Sequence, residues 1–258
     1  LDQYATVRPS RLLQGIKRPL KNIGPAELDW VIVRENTEGE YSGAGGRVHP
    51  KLPQEVGIDV SVFTRDGIAR VMRYAFELAL TRPKKQLTLV TKSNAQRHGM
   101  VLWDEVFEKL KHDYPGITTD RMLVDAITTR MVLQPQSLDT IVATNLHADI
   151  LSDLAAALSG SLGIGPTANI NPERTFPSMF EPIHGSAFDL VGKDLANPLG
   201  AFWSCVMMLE HLLENKGASL LMSAIEEVCQ EGRHLPIDLG GNSCTGEVTT
   251  AVCAALKK

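Results

Sequence analysis

Asp149 and Asp153 stand four residues apart in the run Asn145-Leu146-His147-Ala148-Asp149-Ile150-Leu151-Ser152-Asp153. On a helix, that spacing stacks both carboxylates on one face, a single turn apart. Ala155, Ala156 and Ala157 favour helix, and Ser159-Gly160 marks its end. Two carboxylates held this way repel each other unless something cationic lies between them. A divalent ion with oxygen ligands, magnesium or manganese, meets that need. The simpler alternative is an N-terminal Asp favoured by the helix dipole, with a solvated Asp one turn on.

The surrounding pattern is that of an α/β protein. Trp30-Val31-Ile32-Val33, Leu87-Thr88-Leu89-Val90-Thr91 and Thr140-Ile141-Val142-Ala143 read as buried strands, and the alternation in residues 56–62 suits an exposed strand or hairpin arm. Thr64 is a candidate cap for a helix over residues 65–80, whose apolar positions Ile68, Val71, Met72, Ala75, Phe76 and Ala79 follow a 3.6-residue period. Further helices are predicted over residues 100–113, 126–133, 198–214 and 218–230, with a last one from Thr245. Strands alternating with helices imply a mixed or parallel sheet. Residues 159–172 shift to Gly, Ser, Asn and Pro, the composition of a domain edge or an active-site loop. There is no internal repeat and no low-complexity segment.

Bulk properties narrow the function classes. A chain of 258 residues, 43% hydrophobic and 22% charged, can bury a sizeable core. A net charge of −4 argues against a nucleic-acid or anionic-membrane surface. Cys205, Cys229, Cys244 and Cys253 are scattered without metal-site spacing, which suits thiols in a reducing compartment. With neither a membrane-length apolar run nor a signal-peptide pattern, the expectation is a soluble, cytoplasmic protein. The chain opens at Leu1 rather than Met, as a piece of something longer would.

Seven segments in order carry a resemblance: Arg8-Pro9, RENTEGEYSG over residues 34–43, Lys92-Ser93-Asn94, Asp125, the helix from Asn145, HGSAFD over residues 184–189, and Ala196-Asn197-Pro198. Together they resemble the isocitrate and isopropylmalate dehydrogenase family, the decarboxylating dehydrogenases of 2-hydroxy acids. NPERTFPSMFEPIHGSA, residues 171–187, looks most like its tartrate/D-malate dehydrogenase branch. The resemblance implies an isopropylmalate dehydrogenase-like two-domain α/β fold with mixed sheets. Residues 1–159 would form the smaller domain, for dimerisation, metal and substrate. Residues 160–258 would form the C-terminal half of a larger cofactor domain. That larger domain would lack its N-terminal half, including a Gly-Asp-Gly-Ile-Gly-like turn and another substrate-binding Arg.

Site residues follow from the same resemblance. Asp149 and Asp153 would hold Mg2+ or Mn2+ together with Asp125 from a partner subunit. Lys92, also acting across a homodimer interface, would take the hydroxyl proton, and Tyr41 would protonate the enol left by decarboxylation. Arg8 and Arg34 would fork onto substrate carboxylates. Asn94, His184, Gly185, Ser186, Ala187, Asp189 and Asn197 would bind the cofactor. The carboxylate of Asp189 favours NAD, because it would repel a 2′-phosphate. There is no G-x-G-x-x-G fingerprint in strand–turn–helix context. Two positions depart from the family pattern: His147-Ala148 replaces an aromatic-Gly pair, and Phe188 replaces a Pro. The implied reaction is NAD-dependent oxidative decarboxylation of D-malate, tartrate or a related 2-hydroxy diacid, with no nucleic-acid or membrane partner. The alternative is a non-catalytic subunit or truncated relic, and little or no turnover is expected from this chain alone.

Overall fold

In the computed structural model, which describes residues 1–257, most of the chain is built on one seven-stranded sheet. The strands are β1 (Ala5–Arg11), β2 (Asp29–Glu35), β5 (Gln86–Thr91), β6 (Thr118–Leu123), β7 (Thr140–Ala143), β8 (Pro166–Ile170) and β9 (Met179–Pro182), in the spatial order β6-β5-β7-β2-β1-β8-β9. β2, β7, β5 and β6 run parallel, whereas β1, β8 and β9 add on antiparallel, so the sheet is mixed as expected. A separate antiparallel hairpin, β3 (Gly39–Val48) with β4 (Val56–Val62), stands apart from it.

Both faces of the sheet are covered. Val31 and Val33 join one core, with α1 (Arg65–Thr81) and α2 (Gly99–Leu110). Trp30 and Ile32 point the other way, into a core with α3 (Val124–Leu133) and α4 (Asn145–Leu158). Burial on both sides explains why β2 reads as a continuous apolar run. In α1 the six periodic apolar positions are all buried, and the Thr64 side chain caps the helix by accepting from the Gly67 N–H. Packing finishes the job: Phe76 stacks on Phe107 at 5.5 Å and on Tyr114 at 4.6 Å. A third core gathers α5 (Leu199–His211), α6 (Asn215–Glu231) and α7 (Thr245–Ala255) around Trp203, Ile225 and Val248.

The fold departs from the sequence reading in three places. β1 carries Pro9, a residue that weakens a strand assignment; Pro9 falls beyond the three residues that pair with β8, where β1 has a neighbour on one side only. β8 lies inside the stretch that reads as loop. Pro-Thr-Ala-Asn-Ile has no alternation to reveal it, and it is a strand because all five residues are buried between β1 and β9. α3 starts directly after β6, earlier than the predicted start at residue 126, which places Asp125 in its first turn. The sheet takes strands from both sides of residue 160, since β8 joins it by way of β1. Among the described residues, no helix is long and apolar enough to cross a membrane.

At the edge away from the site, Asp139 is 1% exposed and accepts from Arg82 Nε at 2.5 Å. Arg82 also reaches the Asp29 backbone oxygen at 2.8 Å, tying the end of α1 to the start of β2. Removing the cation leaves a buried, uncompensated carboxylate. Arg82→Ala should therefore cost about 3–5 kcal/mol, read as a lower urea midpoint. Adding Asp139→Asn should recover part of that loss, and no recovery would mean that the arginine acts through packing alone.

Candidate active site

The four parallel strands end along one edge of the sheet, and each delivers a polar group there. Arg34 is the penultimate residue of β2, Lys92 follows β5, Asp125 lies just past β6, and Asn145 opens the helix after β7. The carboxyl ends of parallel strands are the usual place for ligands in α/β proteins. Thr144 starts α4 by accepting from the His147 N–H at 3.3 Å.

Arg8 and Arg34 reach the same carboxylate from neighbouring strands. Arg8 pairs with Ile32 and Thr6 with Arg34, so the two arginines sit diagonally on one face of β1 and β2. Arg34 donates from Nε to Asn145 Oδ1 at 2.9 Å and forms an ion pair with Asp149 Oδ1. Arg8 donates to the same oxygen at 3.2 Å and to Ser152 Oγ at 2.6 Å. The Tyr41 hydroxyl donates to Asp149 Oδ2 at 3.2 Å, and its ring lies 5.4 Å from the Arg34 guanidinium. Both arginine side chains are only 11% exposed.

Electrostatics differ sharply within the aspartate pair. Burial pushes the Asp149 carboxyl up, but Arg34 and Arg8 more than offset that and hold it below its ordinary value. Asp153 is pushed up by burial and then by Asp149, with only partial relief from the arginines. No hydrogen bond or ion pair reaches Asp153 among the described residues. An exposed carboxylate without a partner, one turn from an ionised one, fits a divalent cation. Burial, followed by Asp149, raises the Tyr41 hydroxyl, which keeps it protonated near neutrality.

Lys92 and Asp125 come together elsewhere on the edge. β5 and β6 are parallel neighbours with Thr91 opposite Leu123, so their following residues meet, and Lys92 Nζ forms an ion pair with Asp125 Oδ1. Within a single protomer, Asp125 does not complete a set with Asp149 and Asp153. Among the described residues, no three metal-ligating side chains form a group.

The expected cofactor residues divide. His184, Gly185, Ala187 and Asn197 line a cavity of about 640 Å3 with Leu162, Leu190, Leu195 and Ile237. Ala187 holds the left-handed conformation, φ 42°, at the bend of its loop. Ser186 and Asp189 belong to that loop but not to the cavity wall, and Asn94 lies after β5, near Lys92. Asp238 is on the wall and has no motif to announce it. The only local sign is the Gly240-Gly241 turn after it, with Gly240 at φ 84°. A second cavity of about 610 Å3, between α6 and α7, contains none of the expected residues. Of the departures from the family pattern, Phe188 is 84% exposed and off the cavity wall, Ala148 is fully buried in the core beneath α4, and His147 is buried with its Nδ1 lacking a hydrogen-bond partner among the described residues.

The unequal aspartates predict opposite stability effects in chelator. Asp149 has a folded pKa below its unfolded value of about 3.9, so it stabilises above that value and stops doing so as pH falls through the folded pKa. Asp153 has a raised folded pKa, so its ionised form costs stability at neutral pH and the cost vanishes in acid. Asp149→Asn should lower the thermal midpoint at pH 7 and Asp153→Asn should raise it, with the gain gone near pH 3. Equal shifts in both variants would contradict the charge asymmetry.

Residues 1–254 match the isocitrate/isopropylmalate dehydrogenase family. The chain is 65% identical over 255 residues to a probable tartrate dehydrogenase/decarboxylase of Agrobacterium vitis, covering 99% of this chain and 71% of that one. It is 48% identical to the decarboxylating D-malate dehydrogenase of Escherichia coli strain K12, covering 98% and 71% respectively. A crystal structure of isocitrate dehydrogenase from Methylococcus capsulatus superimposes with a TM-score of 0.92 at 37% identity, over all of this chain and 74% of the other. Sequence and fold agree that the chain belongs to the isocitrate/isopropylmalate dehydrogenase family of enzymes.

Proposed function

We propose that the site serves NAD-dependent oxidative decarboxylation of a 2-hydroxy diacid of the D-malate or tartrate kind. The observation that carries this reading is the convergence of Arg8, Arg34, Tyr41, Asp149 and Asp153 at one point. Each residue type answers a demand of the reaction. The forked donors of Arg8 and Arg34, which now rest on Asp149, suit substrate carboxylates. Lys92 would take the 2-hydroxyl proton, and a bound NAD would supply the hydride acceptor. Loss of carbon dioxide leaves its bonding electrons on an enol, and Tyr41 returns a proton to that carbon. Asp149 and Asp153, with Asp125 from a second copy, would hold a divalent ion, which stabilises the negative charge gathering on the 2-oxygen.

The same reading assigns residues 1–159 to the metal and substrate domain and residues 160–258 to the cofactor domain. The His184 cavity would take the adenosine end of NAD. Asp189 and Asp238 make its surroundings anionic, unfavourable for a 2′-phosphate.

A homodimer with shared sites is part of the proposal. The β3–β4 hairpin leaves Val48, Val56, Ile58, Val60 and Val62 exposed, an apolar arm uncovered within the protomer. The separation of Lys92 and Asp125 from Asp149 likewise suits sites completed by a second copy. A second reading, a non-catalytic subunit, draws on that same incomplete ligand set.

An assay following NADH and carbon dioxide with D-malate and with tartrate, with and without Mn2+, separates the two readings. Stoichiometric, Mn2+-dependent release of both products supports the enzyme. A dimer that binds Mn2+ and NAD yet turns over neither diacid supports the non-catalytic subunit. Given an active dimer, mixing Lys92→Ala and Asp149→Ala chains should restore about a quarter of the activity, since half the dimers are mixed and each carries one intact site. No recovery would count against shared sites.

A further inference from the structure

Two polar side chains beside the site have no role in the reading above. Both carboxylate oxygens of Glu40 are shut off from solvent and lack a hydrogen-bond partner among the described residues. His147 is 6% exposed, and its Nδ1 is buried and unpartnered in the same way. Glu40 stands next to Gly39 in β3, where that strand meets the start of α4: a Cβ on Gly39 would lie 3.8 Å from Asn145 Cβ. Leu89 of β5 pairs with Val142 of β7, so Lys92 and Asn145 leave the sheet at the same level, with His147 in the helical turn just beyond. The His147 N–H is fixed by Thr144 Oγ1 at 3.3 Å. Burial pushes the imidazole below its ordinary value, while Glu40 pulls it up and Lys92 pushes it down. It is therefore neutral near neutrality, with one nitrogen donating and the other accepting.

We infer that Glu40 and His147 position Lys92: Glu40 accepts from Nδ1–H, and that contact turns Nε2 to accept from Lys92 Nζ. The inference deepens the proposed function and rests on it, since it takes Lys92 to be the base. An unpaired buried carboxylate is costly, and an imidazole that meets it with a donor relieves both groups. Arg47, which borders the same hairpin cavity as Glu40, is taken by Glu55 at 3.0 Å. The contact is open in the protomer, and covering this edge with a second copy favours closure by removing competing water. The second imidazole nitrogen then fixes the direction of the Lys92 side chain, which among the described residues is held by Asp125 alone. His147 does not serve Asp149 in this way, because residues two apart on a helix do not face each other. Helix α4 would thus carry ligands for its own site and aim the base of its partner's.

Nitrogen NMR of the dimer with labelled histidine reads the first contact without any assay. The His147 signal is assigned by its loss in His147→Phe, which restores the aromatic ring of the family pattern. The wild type should show the Nδ1–H tautomer, and Glu40→Ala should lose it. An Nε2–H tautomer in the wild type overturns the inference, whether or not the dimer turns over. Kinetics read the second contact. In the mixture of Lys92→Ala and Asp149→Ala chains, the one intact site takes Asp149 from the first chain and Lys92 from the second. His147→Phe on the Asp149→Ala chain should lower the recovered kcat about tenfold at little change in KM, against less than about twofold on the Lys92→Ala chain. Equal losses would mean that His147 supports α4, and positioning of Lys92 is overturned. If the plain mixture recovers nothing while the unmixed enzyme is active, shared sites fail, and His147→Phe in the unmixed dimer decides. There a lower kcat at constant KM upholds the inference, and an unchanged kcat overturns it. If the dimer turns over no diacid, the proposed function fails and the role for Lys92 with it, while the tautomer still decides the contact between Glu40 and His147.

Discussion

Two carboxylates one helical turn apart, Asp149 partly buried and Asp153 exposed, repel each other, and nearby positive charge relieves the repulsion. That constraint organises the site. The arrangement answers it for Asp149 with Arg8 and Arg34, which reach one oxygen from adjacent antiparallel strands. It leaves Asp153 unanswered, its carboxyl raised by burial and by its neighbour. The protomer therefore carries a local excess of negative charge where the family's chemistry calls for a cation, together with two arginines suited to holding an anionic substrate.

Keeping the arginines there takes the whole sheet. Arg8 and Arg34 share a face only because β1 and β2 pair antiparallel in one register; a slip of one residue would turn either side chain to the opposite face. Trp30 and Ile32 pin that register by filling the core under α3 and α4, while Val31 and Val33 fill the one under α1 and α2. β2, β7, β5 and β6 then end together, so residues that leave their strands at widely separated points in the chain meet along one edge. Lys92 and Asp125 are neighbours for this reason alone.

The cavity at His184 is assembled on a different principle. It draws on the turn at Ser161, the loop at His184, the segment before α5 and the turn at Asp238, short 3-10 turns and loops rather than α-helix or strand. Short polar contacts hold these pieces, chiefly Asp238 to Asn197 and Ser161, and the side chains of Asp238 and Asn197 crowd the place a Cβ would take at Gly163. A loop-built site of this kind tolerates Phe188 in place of a proline, because the ring points out to solvent.

Local pattern alone determined a good part of the molecule. The period of α1, the apolar run of β2, the hairpin arm at residues 56–62 and the spacing of Asp149 and Asp153 on α4 are all readable because periodicity reports which face of an element is buried. The resemblance named the residues, and five of them, Arg8, Arg34, Tyr41, Asp149 and Asp153, do converge. Tertiary structure decided what no local pattern encodes. β8 is a strand only because the sheet needs one beside β1, and Pro9 is tolerated only because β8 stops short of it. Asp238 enters the cavity through contacts to residues 41 and 77 positions away. Such contacts depend on strand order and chain return, and a window of neighbouring residues holds no information about either.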